Sequence, residues 1–130
     1  MKHFWAFIGA LLLASGVAFG AYGAHGLRAV VEVPRLIESF EYAVLYQLIG
    51  GLGLFAVAWA TNHFRAWIVN IGGFFLLLGT VGFSFSLYLQ VLYSFKLFPM
   101  VTPISGGLMI LGWIVIALAA LTNKPYRSTW

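Results

Sequence analysis

Ten charged side chains, Lys2, Arg28, Glu32, Arg35, Glu38, Glu41, Arg65, Lys96, Lys124 and Arg127, cut the chain into four charge-free runs at 3–27, 42–64, 66–95 and 97–123. The runs are 25, 23, 30 and 27 residues long. A hydrocarbon core of roughly 30 Å is crossed by about 20 helical residues, so each run crosses once and none crosses twice. Transmembrane β-strands would need segments of about 10 residues that alternate polar and apolar, and stretches such as LLLASGV and FFLLLGTVG do not alternate. Composition agrees: 62% of the 130 residues are hydrophobic, 8% are charged, and the mean hydropathy is +0.98, more apolar surface than a soluble domain of this size hides in one core. The expectation is an all-α, four-transmembrane-helix bundle in one integral membrane domain, with spans at about 4–24, 42–61, 67–93 and 103–122.

Lys2 followed by an apolar stretch that ends near Ala21, Gly23 and Ala24 has the outline of a signal peptide. The stretch is longer than an h-region of 7–15 residues, so it reads as helix one. With four spans both termini share a side. Lys2, Arg65, Lys124 and Arg127 mark that side, against Arg28, Arg35 and Lys96 on the other, and this four-to-three bias favours cytoplasmic termini in a cell inner membrane. The net charge of +4 is scattered over the connections without forming a patch, which argues against nucleic acid as a partner and for anionic headgroups.

The longest connection contains VEVPRLIESFEYAV. Pro34 suits the first turn of a helix, and Leu36, Ile37, Phe40 and Val44 form an apolar stripe apart from Arg35, Glu38 and Glu41. This predicts a short amphipathic interfacial helix between helices one and two, either separate or continuous with helix two. In the third connection Pro99 stops one helix, and Thr102 as N-cap with Pro103 at the first helical position starts the next.

Apolar side chains gain nothing by leaving lipid, so spans associate where small residues let backbones approach. Gly16 and Gly20 form a GxxxG pair that Ala24 extends, and Ala14, Ala18, Ala21 and His25 run along a second line of helix one. On helix three, at 100° per residue, Thr80, Ser84 and Tyr88 fall within 80° of one another, while Gly79, Gly82, Ser86 and Gln90 cluster roughly opposite. A helix that is small or polar on two opposed faces is flanked by neighbours on both. Serine and threonine bonding their own helix carbonyls would leave the glycines unexplained. On helix four, Gly106 and Gly107 are the corresponding packing candidates.

His25, Glu41, Tyr46 and Gln47 make up the candidate polar site. His25 and Glu41 end helices one and two at the same interface, where a histidine–carboxylate pair would either relay protons and read pH or clamp the first helical hairpin; the low dielectric cost at that depth favours the clamp. Gln47, about two turns into helix two, is the best candidate for a buried polar group, and interhelical adhesion accounts for it more simply than ligand binding. No metal or cofactor is expected: there is no zinc-ligand spacing, no phosphate-binding loop and no G-x-S-x-G elbow. Without aspartate or cysteine, an enzyme would have to work with three glutamates and one useful histidine, so no catalysis is expected.

GAYGAHGL (20–27), FEYAVLYQ (40–47), FSFSLYL (83–89) and TPISGGLMILGWIVIALAA (102–120) together resemble a family of small four-helix membrane proteins catalogued as domain of unknown function 423 (transmembrane protein 256-like). His25, Tyr46, Gln47, Ser84, Ser86, Tyr88, Thr102, Pro103, Gly106, Gly107 and Trp113 fall on its recurrent positions. Where the family commonly has a second histidine this chain has Gly50, and where it commonly has a glycine between the serines this chain has Phe85. The resemblance implies a bacterial inner-membrane or mitochondrial setting and no assigned reaction. The functional expectation is a structural or accessory membrane protein acting through helix–helix contacts, as a homo-oligomer or within a larger complex. The alternatives are a small oligomeric transporter or proton-linked channel lined by His25, Glu41 and Gln47, and a lipid- or quinone-binding protein using the aromatic residues of helices one and three.

Overall fold

The computed structural model describes residues 1–94 and 100–122. Its elements are α1 (Lys2–His25), α2 (Leu27–Val30), α3 (Pro34–Ala60), α4 (Ala66–Tyr93) and α5 (Val101–Ala119). Four of them, with 24, 27, 28 and 19 residues, are long and apolar enough to cross a bilayer. At 1.5 Å per residue the shortest reaches about 28 Å, just the thickness of a hydrocarbon core. Hydrocarbon offers backbone N–H and C=O groups no partner, so each span closes its own hydrogen bonds.

Two helix starts differ in detail from the sequence pattern. The segment from Pro34 is continuous with the second span; no glycine or proline interrupts 35–49, and its buried Phe40 shares a helix face with Ala43 and Gln47 deeper in the bundle. The short helix that stands between the first two spans is α2, a single turn whose buried Leu27 packs with Phe40, Ala43, Tyr88 and Val91. α5 begins at Val101 rather than after Thr102, with Met100 as its N-cap. Pro103 is therefore the third helical residue, where a missing N–H costs no intrahelical bond, and the Thr102 hydroxyl meets Ser86 Oγ at 2.6 Å. The Pro99 stop signal, Lys96, Lys124 and Arg127 lie outside the described residues.

α3 and α4 form the middle of the bundle, with α1 against α3 and α5 against α4. The α1 seam is buried at Trp5, Gly9, Leu12, Gly16 and Gly23, alternating steps of four and three residues that keep a stripe facing one partner in left-handed packing. Contact is close: a Cβ on Gly9 would lie 2.8 Å from the Gly51 carbonyl oxygen, and one on Gly16 would lie 2.8 Å from Leu48 Cδ2. Gly20 is more loosely set, 3.3 Å from Val44 Cγ1 by the same measure. Ala14, Ala18, Ala21 and His25 are exposed, so that second line of α1 faces away from the bundle.

α4 presents Thr80, Ser84 and Tyr88 to α3 and Gly72, Gly79, Gly82 and Ser86 to α5. A Cβ on Gly79 would stand 2.6 Å from the Met109 nitrogen and 2.7 Å from the Ser105 carbonyl oxygen, and one on Gly112 would stand 2.9 Å from the Gly72 carbonyl oxygen. A Cβ on Gly82 would run into the Ser105 side chain. On α5, Gly106 has only the Phe83 ring near it, at 3.7 Å, and Gly107 has nothing within 4 Å; Gly107 is not part of the seam.

Backbone atoms cannot rotate out of the way as side chains do. Gly79→Ala should therefore destabilise the protein by about 1–3 kcal/mol through overpacking, whereas Gly107→Ala should stay within about 0.5 kcal/mol. Thermal unfolding of the two variants in the same detergent tests this, and equal melting temperatures would contradict the α4–α5 seam.

Candidate functional site

Gln47, fully buried, sits halfway along α3 between two apolar clusters. One gathers around Trp5, Leu54, Val57 and Leu76, the other around Leu27, Phe40 and Tyr88. Gly16 leaves the space through which the amide reaches α1: a Cβ there would lie 3.6 Å from Gln47 Cδ. Gln47 Nε2 donates to the Leu12 carbonyl at 3.0 Å and to Ser15 Oγ at 2.7 Å. The Tyr88 hydroxyl donates to Gln47 Oε1 at 2.6 Å. A backbone carbonyl only accepts, so the contact with Leu12 fixes which end of the amide faces α1. Ser15 in turn donates to the Leu11 carbonyl at 2.8 Å.

Each proton in this group thus ends on a protein oxygen, and none of its members carries charge. An amide flanked by carbonyls does not pass protons onward; it holds three helices together. Neighbouring contacts extend the same arrangement. Ser84 Oγ donates to the Ala43 carbonyl at 2.8 Å, joining α4 to α3. Towards the other end of the bundle, the fully buried Trp5 donates from Nε1 to Asn70 Oδ1 at 2.8 Å, joining α1 to α4. Thr80 Oγ1 is buried without a partner and lies against Gly50. A side chain at position 50 would run into Thr80, so this packing of α3 on α4 has no room for a histidine there.

The four candidate polar residues do not come together. His25 is exposed and its Nδ1 meets only the Ala21 carbonyl of its own helix, at 3.0 Å. Glu41 pairs instead with Arg28, Nη2 to Oε1 at 3.6 Å. The reason is azimuthal: Gly23 faces α3, and a residue two positions on points some 200° away, while the turn of α2 carries Arg28 back over Glu41. Tyr46 follows the same rule. One residue from Gln47, it turns outward and packs edge-on against Phe83, with ring centroids 5.0 Å apart. Phe85 is on the exposed side of α4, edge-on to Tyr88 at 5.7 Å. Ser15, Trp5 and Arg28 were not among the sequence candidates. Ser15, next to Gly16, gives no sign of its partner in the sequence, and neither does Arg28, since Arg35 is nearer to Glu41 along the chain.

Among the described residues no group of three or more histidine, cysteine, aspartate or glutamate side chains is gathered as for a metal. Among the described residues, clefts open on the surface at several places. One of about 610 Å³ between α1 and α4 is lined by Ser15, Phe19, Tyr22 and Tyr93 among others. A second of about 460 Å³ lies where Tyr46, Phe83, Met109 and Trp113 meet. A third, of about 380 Å³, lies at the α1–α3 end beside Arg28 and Glu41.

Four helices long and apolar enough to cross a bilayer, three of them joined by a buried amide, define a multi-pass α-helical membrane protein. The chain belongs to the family described as protein of unknown function (DUF423), whose profile matches residues 19–106. It is 37% identical to a UPF0382 membrane protein of Staphylococcus epidermidis over 88% of this chain and 92% of that protein. It is 31% identical to the UPF0382 membrane protein YwdK of Bacillus subtilis over 88% of this chain and 93% of that one. No solved structure matches the chain.

Tyr88→Phe leaves Gln47 Oε1 without its donor and should cost about 1 kcal/mol, within the range of interhelical hydrogen bonds in membranes. Combined with Gln47→Leu it should cost less than the sum of the two single changes by about 0.5 kcal/mol or more, since the residues touch. Thr80→Val, which removes an unpaired hydroxyl, should be neutral or stabilising by up to about 1 kcal/mol, and His25→Ala should stay within about 0.5 kcal/mol. Reversible unfolding in mixed micelles measures all of these; additive Gln47 and Tyr88 effects would break the proposed link between α3 and α4.

Proposed function

We propose that this protein is a structural or accessory component of the bacterial inner membrane that acts through helix–helix contacts, with copies of itself or with a larger membrane complex, and carries out no catalysis. The observation that carries the reading is the closure of the Gln47 group: Gln47, Ser15 and Tyr88 are engaged with one another and with backbone carbonyls, as suits a device for holding helices. A transporter keeps such groups turned toward a water-accessible route. Against that alternative stand the positions of His25, Glu41 and Gln47, two of them exposed at one end and one enclosed in the middle. The outer helices support the assembly role. α1 and α5 each direct a broad apolar face away from the bundle, with Phe7, Leu11 and Val17 on one and Ile110, Ile114 and Leu118 on the other.

Purification of the tagged protein from its native membrane in a gentle detergent, with cross-linking beforehand and mass spectrometry of what co-migrates, should recover a defined oligomer or heteromeric complex. A monomer with no cross-linked partner, together with proton or solute flux in proteoliposomes that Gln47→Leu abolishes, would overturn the reading in favour of transport.

The charge bias supports cytoplasmic termini. The chain has no cysteine, so a single introduced thiol reports cleanly on sidedness. A cysteine at Asn62 should be protected from a membrane-impermeant maleimide in intact cells, and one at Glu32 should react; the reverse pattern inverts the topology.

A further inference from the structure

The α1–α3 seam is tight at mid-depth, loosens at Gly20 and closes again where Gly23 packs on Phe40. At this end a cleft of about 380 Å³ has Gly20, Gly23, Val44 and Phe40 along its floor and Arg28 and Glu41 at its mouth. Gly23 packs at the level of Glu41, and Gly20 and Val44 lie about one helical turn deeper, so the cleft runs from headgroup depth toward the acyl region. At its mouth one guanidinium and one carboxylate are 3.6 Å apart, with side chains 63% and 62% exposed. A pair this long and this exposed opposes its own opening only weakly.

We propose that this cleft binds a phospholipid whose headgroup carries both a phosphate and a primary ammonium, of the phosphatidylethanolamine class. Arg28 receives the phosphate, for which a guanidinium fork is well shaped. Glu41 receives the ammonium, whose three N–H donors match a carboxylate acceptor, and one acyl chain lies along Gly20 and Val44. Charge selects this occupant. By sequence this side of the protein carries Arg28, Arg35 and Lys96 against Glu32, Glu38 and Glu41, an even balance that gives a purely anionic headgroup no excess of basic charge to favour it. A choline headgroup has the positive charge without the N–H donors. Lipid capture here is independent of whether the outer helices engage another protein.

The test is native mass spectrometry of the full chain released from micelles supplemented in turn with dioleoyl-phosphatidylethanolamine, -phosphatidylcholine and -phosphatidylglycerol. The ethanolamine lipid should be retained at about tenfold lower concentration than either of the others. Glu41→Gln should bring its retention down to that of the choline lipid, and Arg28→Gln should weaken retention of all three, with melting temperatures recorded to confirm folding. Should either variant fail to fold, the unaltered protein is titrated with N-monomethyl and N,N-dimethyl ethanolamine lipids, whose retention should fall with each lost N–H. Equal retention of the three headgroups, preference for phosphatidylglycerol, an ethanolamine preference that survives Glu41→Gln, or indifference to N-methylation would each overturn the proposal.

Discussion

A glutamine side chain in hydrocarbon has two N–H groups and a carbonyl oxygen to satisfy and no water to do it, and in this protein the rest of the bundle is arranged around that demand. Gln47 reaches Leu12 and Ser15 on α1 and is reached by Tyr88 on α4, which fixes the depth and rotation of three helices at once. Dispersion and small-residue packing bring membrane helices together but discriminate poorly between neighbouring registers. Sliding α1 by one turn would take Ser15 from the amide, leaving a buried N–H unpaired, and would remove Gly16 from the passage, penalties that apolar contacts alone would not impose. The individual bonds are modest; their value lies in making one alignment distinct from its neighbours.

Glycine makes that alignment sterically available. Where α1 crosses α3, Gly9 and Gly51 bring backbone against backbone, and Gly16 opens the passage for the Gln47 amide. Where α4 meets α5, Gly72, Gly79 and Gly112 do the same. Both seams alternate three- and four-residue steps, the spacing of left-handed packing, so the two outer helices are held by one geometry on opposite sides of the α3–α4 centre.

The number of spans was legible because hydrocarbon thickness and uninterrupted apolar runs leave little freedom, and the four long helices follow those runs. The ends were less so: Pro103 is compatible with the first, second or third helical position, and only the backbone distinguishes them. Rotation about each helix axis divides the residues further. Spacing places Thr80, Ser84 and Tyr88 on one side of α4, and that side faces α3. For α1 the pattern offered Gly16 with Gly20, while the seam follows Gly9, Gly16 and Gly23; both lines are rich in small residues, and which one is buried depends on a partner helix that α1 alone does not specify. His25 and Glu41 show the same limit, for sharing an end of the bundle says nothing about facing one another. Ser15 left no signal of its own, since a helical serine ordinarily bonds a carbonyl of its own turn.

Depth explains why one seam serves two different ends. At the middle of the α1–α3 contact a gap between helices would expose the Gln47 amide to acyl chains, so the glycines there are filled by opposing backbone and by Leu48. Nearer the α2 end the polar demand disappears; a Cβ on Gly20 would meet only Val44, at 3.3 Å, and the cleft beside it stays open. Charged groups are affordable again at that level because water and headgroups reach them. Arg28 and Glu41 therefore stand where a bilayer supplies their complements, while Gln47 stands where the protein must supply its own.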